Sequence, residues 1–144
     1  MTKPFLIGDL SRRTGKSVHA IRWYETRGLV PGVTRDSGGR RIYHPDHIGW
    51  FDFIARLRAT GMTITRIAEY ARLVNRGRET LPDRIALLED QRARIAAAQR
   101  ELDDAQALIA AKVKYYRQWK KTGERPPQIP SIESVRAARR KQRR

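Results

Sequence analysis

Apolar residues in the first eighty positions recur at helical spacing in short runs, most of them closed by a glycine. Ile7 and Leu10, with Phe5 just ahead, give the inward side of a first helix whose outer side shows Arg12 and Arg13. Gly15 ends it, because a helix stop often needs the left-handed backbone that glycine adopts without strain. Ser17 is a good N-cap for a second helix, with Val18, Ile21 and Leu29 on its apolar side and Gly28 at its close. Residues 35–43, RDSGGRRIY, read as a hairpin, with turn formers at the tip and a β-branched and an aromatic residue on the return strand. Pro45 fits the start of a third helix, where its missing N–H costs nothing. Ile48, Phe51, Ile54, Ala55 and Leu57 or Arg58 follow until Gly61. Thr63 caps a fourth helix with Ile64, Ile67, Ala68, Ala71, Leu73 and Val74 as its apolar positions.

From Leu81 the period changes. Leu81, Leu88, Ile95, Leu102, Ile109 and Tyr116 recur every seven residues without a break. The positions four further on are Ile85, Arg92, Gln99, Gln106 and Val113, apolar at the ends and polar in the middle. After Pro82 neither glycine nor proline occurs until Gly123, which predicts one helix of about forty residues, on the order of 60 Å long at 1.5 Å per residue. So narrow an apolar stripe cannot be buried within its own short chain, and the simplest partner is a second copy. Spacing alone leaves parallel and antiparallel pairing open.

Charge sharpens this division. The 144 residues carry a formal charge of +16, which favours a polyanionic partner, nucleic acid before membrane. Residues 1–77 hold 14 Lys/Arg against 6 Asp/Glu, residues 78–120 hold 9 against 7, and residues 121–144 hold 8 against 2. The expected organisation is therefore a basic head at 1–77, a dimerisation helix at 78–120 and a basic tail at 121–144. In the tail a Pro-rich break precedes Ser131, which can cap a two- or three-turn helix with Ile132 and Val135 on one side. Its end, RAARRKQRR, is expected to be a mobile electrostatic arm. No cysteine is present, so disulfides, thiolate metal sites and thiol redox sensing are absent. No apolar run approaches the ~20 residues that span a bilayer, and the N-terminus lacks a signal-peptide pattern. A cytoplasmic protein with no membrane partner is expected.

Helix, turn, helix and basic hairpin in that order make a winged helix-turn-helix, a shape that puts one helix into a major groove with a loop beside it. The segments IGDLSRRTGKSVHAIRWYETRGLV, SGGRRIYHPDHI and LRATGMTITRIAEY, in this order and spacing, resemble the MerR family of dimeric bacterial transcription regulators. The resemblance covers residues 5 to about 74, and the long helix fits it too. It implies an all-α dominated fold with a winged helix-turn-helix head, a small β-hairpin wing and a long antiparallel coiled-coil helix. It also implies a palindromic promoter operator, bent and untwisted so that RNA polymerase can read both promoter elements.

Roles follow from position. Ser17, Val18 and His19 open the second helix, where N-terminal residues reach base edges, and His19 is placed to donate to a purine acceptor or a phosphate. Arg22 matches the arginine of the family's Arg-Tyr-Tyr segment and suits phosphate or guanine. Tyr24 matches a family tyrosine and offers a phenolic phosphate donor. Trp23 departs from the family tyrosine and is read as packing. In the wing Arg41 and Tyr43 match the family and should grip the DNA backbone, while Arg40 stands where an aromatic is common. Arg13 and Lys16 complete the expected DNA-binding set. The dimerisation set is Leu81, Ile85, Leu88, Ile95, Leu102, Ile109, Val113 and Tyr116.

No catalytic residues, metal or cofactor are expected. His44 and His47 are three apart, but an exposed turn at a helix start is the plainer reading. The aromatics Tyr115, Tyr116 and Trp119 are either an effector pocket or, the preferred reading, a packing cluster; the effector itself is not legible. The alternative to an operator-specific regulator is an architectural nucleoid-type protein whose binding is mostly counterion release.

Overall fold

A computed structural model describes residues 4–142. Its elements are α1 (Ile7–Thr14), α2 (Val18–Thr26), β1 (Thr34–Arg35), β2 (Arg41–Ile42), α3 (Asp46–Ala59), α4 (Ile64–Arg76), a 3-10 turn (Arg78–Thr80), α5 (Leu81–Thr122) and α6 (Ile132–Gln142). The two strands pair antiparallel, Thr34 opposite Ile42 and Arg35 opposite Arg41. Phe5, expected with Ile7 and Leu10 on the inward face of the first helix, instead lies before α1 and forms an extra rung on the wing. Its N–H and C=O bond the C=O and N–H of Tyr43, both at 2.8 Å. Among the described residues no helix is long and apolar enough to cross a membrane.

The chain divides into two compact units, one ending at Gln91 and the other starting at Arg92. In the first, Leu10, Ile21, Tyr43 and Phe51 form one buried cluster, and Leu29, Ile54, Leu57, Met62, Ile67 and Leu87 form another. Tyr24 packs against both clusters and joins them. Trp50 closes the second: its indole N–H donates to the Leu29 carbonyl at 2.7 Å and its ring stacks on Tyr70.

Unit 1 reaches past the expected limit at residue 77, because the first turns of α5 complete its core. Leu87 is buried, Leu88 packs beside it, and the buried Gln91 amide donates to the Thr60 carbonyl and hydroxyl at 3.2 and 3.0 Å. Arg84 holds the end of α4, donating to the carbonyls of Leu73 (3.1 Å), Val74 (3.3 Å) and Gly77. A guanidinium there meets carbonyls that lack helical partners, as well as the negative end of the helix dipole. The heptad pattern hid this function because Arg84, Leu87 and Gln91 lie off its seam.

In the second unit the seam stands open. Leu102 is 70% exposed, Ile109 65% and Tyr116 56%, and Val113 is also exposed. Towards the start of the helix, Leu81 and Ile85 are exposed while Leu88 and Ile95 are half-buried.

The tail forms the helix expected from Ser131, and α6 carries it into the charge run as far as Gln142. Ser131 caps α6 as anticipated, its hydroxyl accepting from the Ser134 N–H at 3.2 Å while the Ser134 hydroxyl accepts from the Ser131 N–H at 3.0 Å. Val135 is buried. Arg136 and Arg139 donate to the two carboxylate oxygens of Asp104 at 2.8 and 3.0 Å. An apolar anchor and a doubly bonded carboxylate thus hold the helix that Ser131 starts. The last two residues of the charge run lie outside the described residues. Because Asp104 is only 18% exposed, its two bonds are less screened than a surface pair. Asp104→Asn is expected to speed amide hydrogen exchange across 132–142 by about tenfold and leave residues 4–91 unchanged. Unchanged exchange in α6 would show that Val135 alone holds it.

Candidate nucleic-acid interface

The turn before α2 is held by short polar bonds. Gly15 adopts φ 69°. The Ser11 hydroxyl donates to the Lys16 carbonyl at 2.6 Å, and the Lys16 N–H donates to the Thr14 hydroxyl at 3.3 Å. Ser17 then caps the helix, its hydroxyl accepting from the Ala20 N–H at 3.1 Å. That bond orients the helix start and leaves the exposed Ser17 hydroxyl its own O–H to donate. His19 and Arg22, one turn apart, are exposed, and Val18 beside them is half-buried. Trp23 and Tyr24 turn inward. They meet edge to face at 5.3 Å, and Arg27 lies over Trp23 and Lys16 over Tyr24. Trp23 is therefore packing, as read from the sequence, and Tyr24 is largely packing as well. Arg13 is exposed and lies over the Phe5 ring at 4.6 Å, whereas Arg12 pairs with Asp9.

Asp36 builds the wing tip. Its carboxylate accepts from the Gly38 N–H at 3.0 Å and from the Arg40 N–H and guanidinium, both at 2.9 Å. The Arg40 backbone N–H above all, with its guanidinium and the Gly38 N–H, holds the Asp36 carboxyl below the ordinary value against the opposing effect of burial. Gly39, at φ 77°, turns the chain, and the exposed Arg35 and Arg40 flank that turn.

The wing is fastened to α2 by Glu25. Arg41 donates to one carboxylate oxygen at 2.5 Å and the Tyr43 hydroxyl donates to the other. Tyr43 is fully buried, and burial first, then the Glu25 carboxylate, pushes its hydroxyl pKa far above the ordinary range. This corrects the role expected of Tyr43. A buried phenol that donates to a carboxylate positions the wing and is not presented to a phosphate. Arg41 is 38% exposed and shares the clamp. Glu25 was missed by sequence reasoning, yet a signal existed: it is the only acidic residue between Asp9 and Asp36.

The two histidines do not form a ligand pair. His47 is buried, its Nδ1 accepting from the His44 N–H at 2.8 Å and its Nε2 lying 2.8 Å from the Pro31 carbonyl. Both ring nitrogens are spent on backbone, which fixes the chain between wing and α3. The aromatics near the end of α5 pack edge to face, Tyr115 against Tyr116 at 5.4 Å and against Trp119 at 6.2 Å. Tyr115 is buried and its hydroxyl accepts from Arg125 at 3.1 Å, Tyr116 stands on the open seam, and Trp119 lies under the Arg125 guanidinium. Tyr115 thus packs against the segment that follows its own helix.

The comparisons with known proteins agree with this geometry. Residues 5–73 match the family model described as MerR HTH family regulatory protein, and residues 50–111 match the model described as MerR, DNA binding. An HTH-type transcriptional regulator of Haemophilus influenzae is 29% identical over 124 residues, 83% of this chain and 92% of its own. The regulator AdhR of Bacillus subtilis is 34% identical over 89 residues, 62% of this chain and 64% of its own. Among solved structures, HiNmlR is described as a MerR family regulator lacking the sensor domain, bound to promoter DNA. It matches with a TM-score of 0.67 at 25% identity over 92% of this chain and 99% of that one. A MerR family regulator from Listeria monocytogenes gives 0.69 at 25% identity over 96% and 98%. With both family models matched in order over a winged helix-turn-helix and its long following helix, the chain belongs to the MerR family of transcription regulators.

Proposed function

We propose that this chain is a homodimeric, sequence-specific regulator that binds a palindromic promoter operator and controls transcription by bending and untwisting it for RNA polymerase. The observation that carries the reading is one chain's combination of an exposed α2 face with an apolar α5 seam that nothing in its own fold covers. A paired head reads a paired half-site, so the symmetry of the protein is repeated in the DNA. Residues 1–77 supply DNA contacts, 78–120 supply dimerisation, and the likeness to HiNmlR, a regulator bound to promoter DNA, supports the reading. The similar proteins are regulators, which favours operator recognition over an architectural role. As a promoter-bound protein it works in the cytoplasm.

Within this reading His19 and Arg22 read bases or the phosphates beside them, with Val18 supplying apolar contact. Arg13, Lys16, Arg40 and Arg41 hold phosphates. Ser17 and Tyr24 offer their hydroxyls to phosphates, and Tyr43 keeps the wing in place. Selection of bound duplexes from a random library is the test, with a palindrome as the expected product. His19→Ala is expected to shift the selected base at one position per half-site, corresponding to about 1–3 kcal/mol of discrimination. An unchanged selected sequence would remove His19 from base reading, and selection of no sequence at all would overturn the regulator reading.

A further inference from the structure

Several cations of this chain have a partner close by. Arg12 pairs with Asp9, Arg40 with Asp36, Arg56 with Asp52, and Arg136 and Arg139 with Asp104. Towards the end of α5, Lys112 lies over the Tyr115 ring and Arg125 over Trp119. Lys114, Arg117 and Lys121 are set apart by their alignment. All three are exposed, and among the described residues none has an ion pair, hydrogen bond or ring contact. Their spacing of three and four places them in one strip along the helix. It is not the heptad seam of Leu102, Ile109, Val113 and Tyr116, and at one edge Lys114 borders the groove that Tyr115 shares with Val135 of α6.

The strip is costly to the isolated chain. Like charges three and four apart on a helix repel, and within α5 the strip's neighbours at that spacing are Ala110, Ala111, Val113, Gln118 and Lys120, none of them acidic. Glu124 follows only after the helix has ended at Thr122. The helix dipole accounts for Lys120 and Lys121 in the last turn, but its influence does not reach back to Lys114 and Arg117. Unpaired, aligned cations well inside a helix match a polyanion with regularly spaced charge.

We propose that Lys114, Arg117 and Lys121 form a second phosphate-contacting strip, which engages the backbone of duplex DNA in addition to the contacts of the winged head. The inference rests on the DNA-binding reading above. The strip spans about 10 Å along the helix, since seven residues rise 1.5 Å each. That length meets two or three phosphates of one strand, spaced about 3.4 Å apart along the duplex axis. The contact carries no base information, so it adds affinity on every sequence alike.

The test is the salt dependence of binding by the full chain, on a duplex selected from a random library and on a random duplex of equal length. For Lys114→Gln/Arg117→Gln/Lys121→Gln the slope of log K against log salt is expected to become shallower by about 2–3 units, at about 0.9 per phosphate released. The affinity ratio between the two duplexes should stay that of the unmodified chain. Lys114→Arg/Arg117→Lys/Lys121→Arg keeps the charge and is expected to keep the full slope, which separates lost charge from a damaged helix. An unchanged slope in the glutamine variant, with its selected-duplex preference intact, would overturn the strip and leave the regulator reading standing. An acidic protein partner would give that same unchanged slope. Failure of the unmodified chain to prefer any duplex would overturn the regulator reading instead.

Discussion

Leu102→Asp/Ile109→Asp is expected to leave the protein monomeric with its head folded. The two side chains are 70% and 65% exposed in the single chain, so the substitutions disturb nothing that the chain packs against itself. In the dimer, burying each such side chain contributes about 1.5–3 kcal/mol, and each appears twice. Leu102, Ile109, Val113 and Tyr116 from both copies thus offset an association cost of roughly 4–15 kcal/mol. Four carboxylates in that seam reverse the balance, and the dimer Kd is expected to rise at least a thousandfold, about 4 kcal/mol. Operator affinity should fall by about 10²–10⁴-fold, because two half-sites would no longer be bound by one linked pair of heads. Sedimentation velocity and titration of a palindromic duplex check both effects. A dimer surviving at micromolar concentration would show that the copies meet through another face.

Glu25→Ala is expected to have the second largest effect, and here the head itself suffers. It strands the buried Tyr43 hydroxyl and frees Arg41 from its place between wing and recognition helix. A hydrogen bond to a charged group contributes about 1.5–3 kcal/mol. The partial exposure of Arg41 reduces its own share, so a total loss of about 2–3 kcal/mol follows. For a unit of this size that is a fall in Tm of roughly 10–20 °C. Adding Tyr43→Phe to Glu25→Ala should restore part of the stability, because it removes the unsatisfied hydroxyl. Thermal unfolding of the four proteins of that cycle measures the coupling. If Glu25→Ala lies within 0.5 kcal/mol of the unmodified chain and the second substitution changes nothing, the clamp is not what fastens the wing. Binding should weaken on all sequences while the preference among them is kept, since the wing holds backbone and α2 reads bases.

These two outcomes depend on different kinds of information. The seam of Leu102, Ile109 and Tyr116 was legible because a heptad repeat is local: each member announces itself by distance along the chain, with no knowledge of the fold. The same holds for Gly15, Ser17, Thr63 and Ser131, whose capping functions follow from backbone geometry within a few residues. The wing with its recognition helix was legible for that reason too. Local chemistry therefore determined the element order, the exposed side of α2, the DNA-binding character and the need for a second copy.

Tertiary structure decided which polar side chains were still free to act. Tyr43 looked like a phosphate donor until the fold placed its hydroxyl on Glu25, 18 residues away. The head reached to Gln91 because Arg84, Leu87 and Gln91 find α3 and α4, contacts that no periodicity along α5 encodes. The charge run at the end of the tail read as an electrostatic arm, but Asp104 lies 32 residues before Arg136, and the bond between them gives that run a partner within the fold. The physical reason is common to all three. A charge or hydroxyl reads alike in sequence whether solvent, DNA or a distant residue satisfies it, and only folding brings the distant partner into reach.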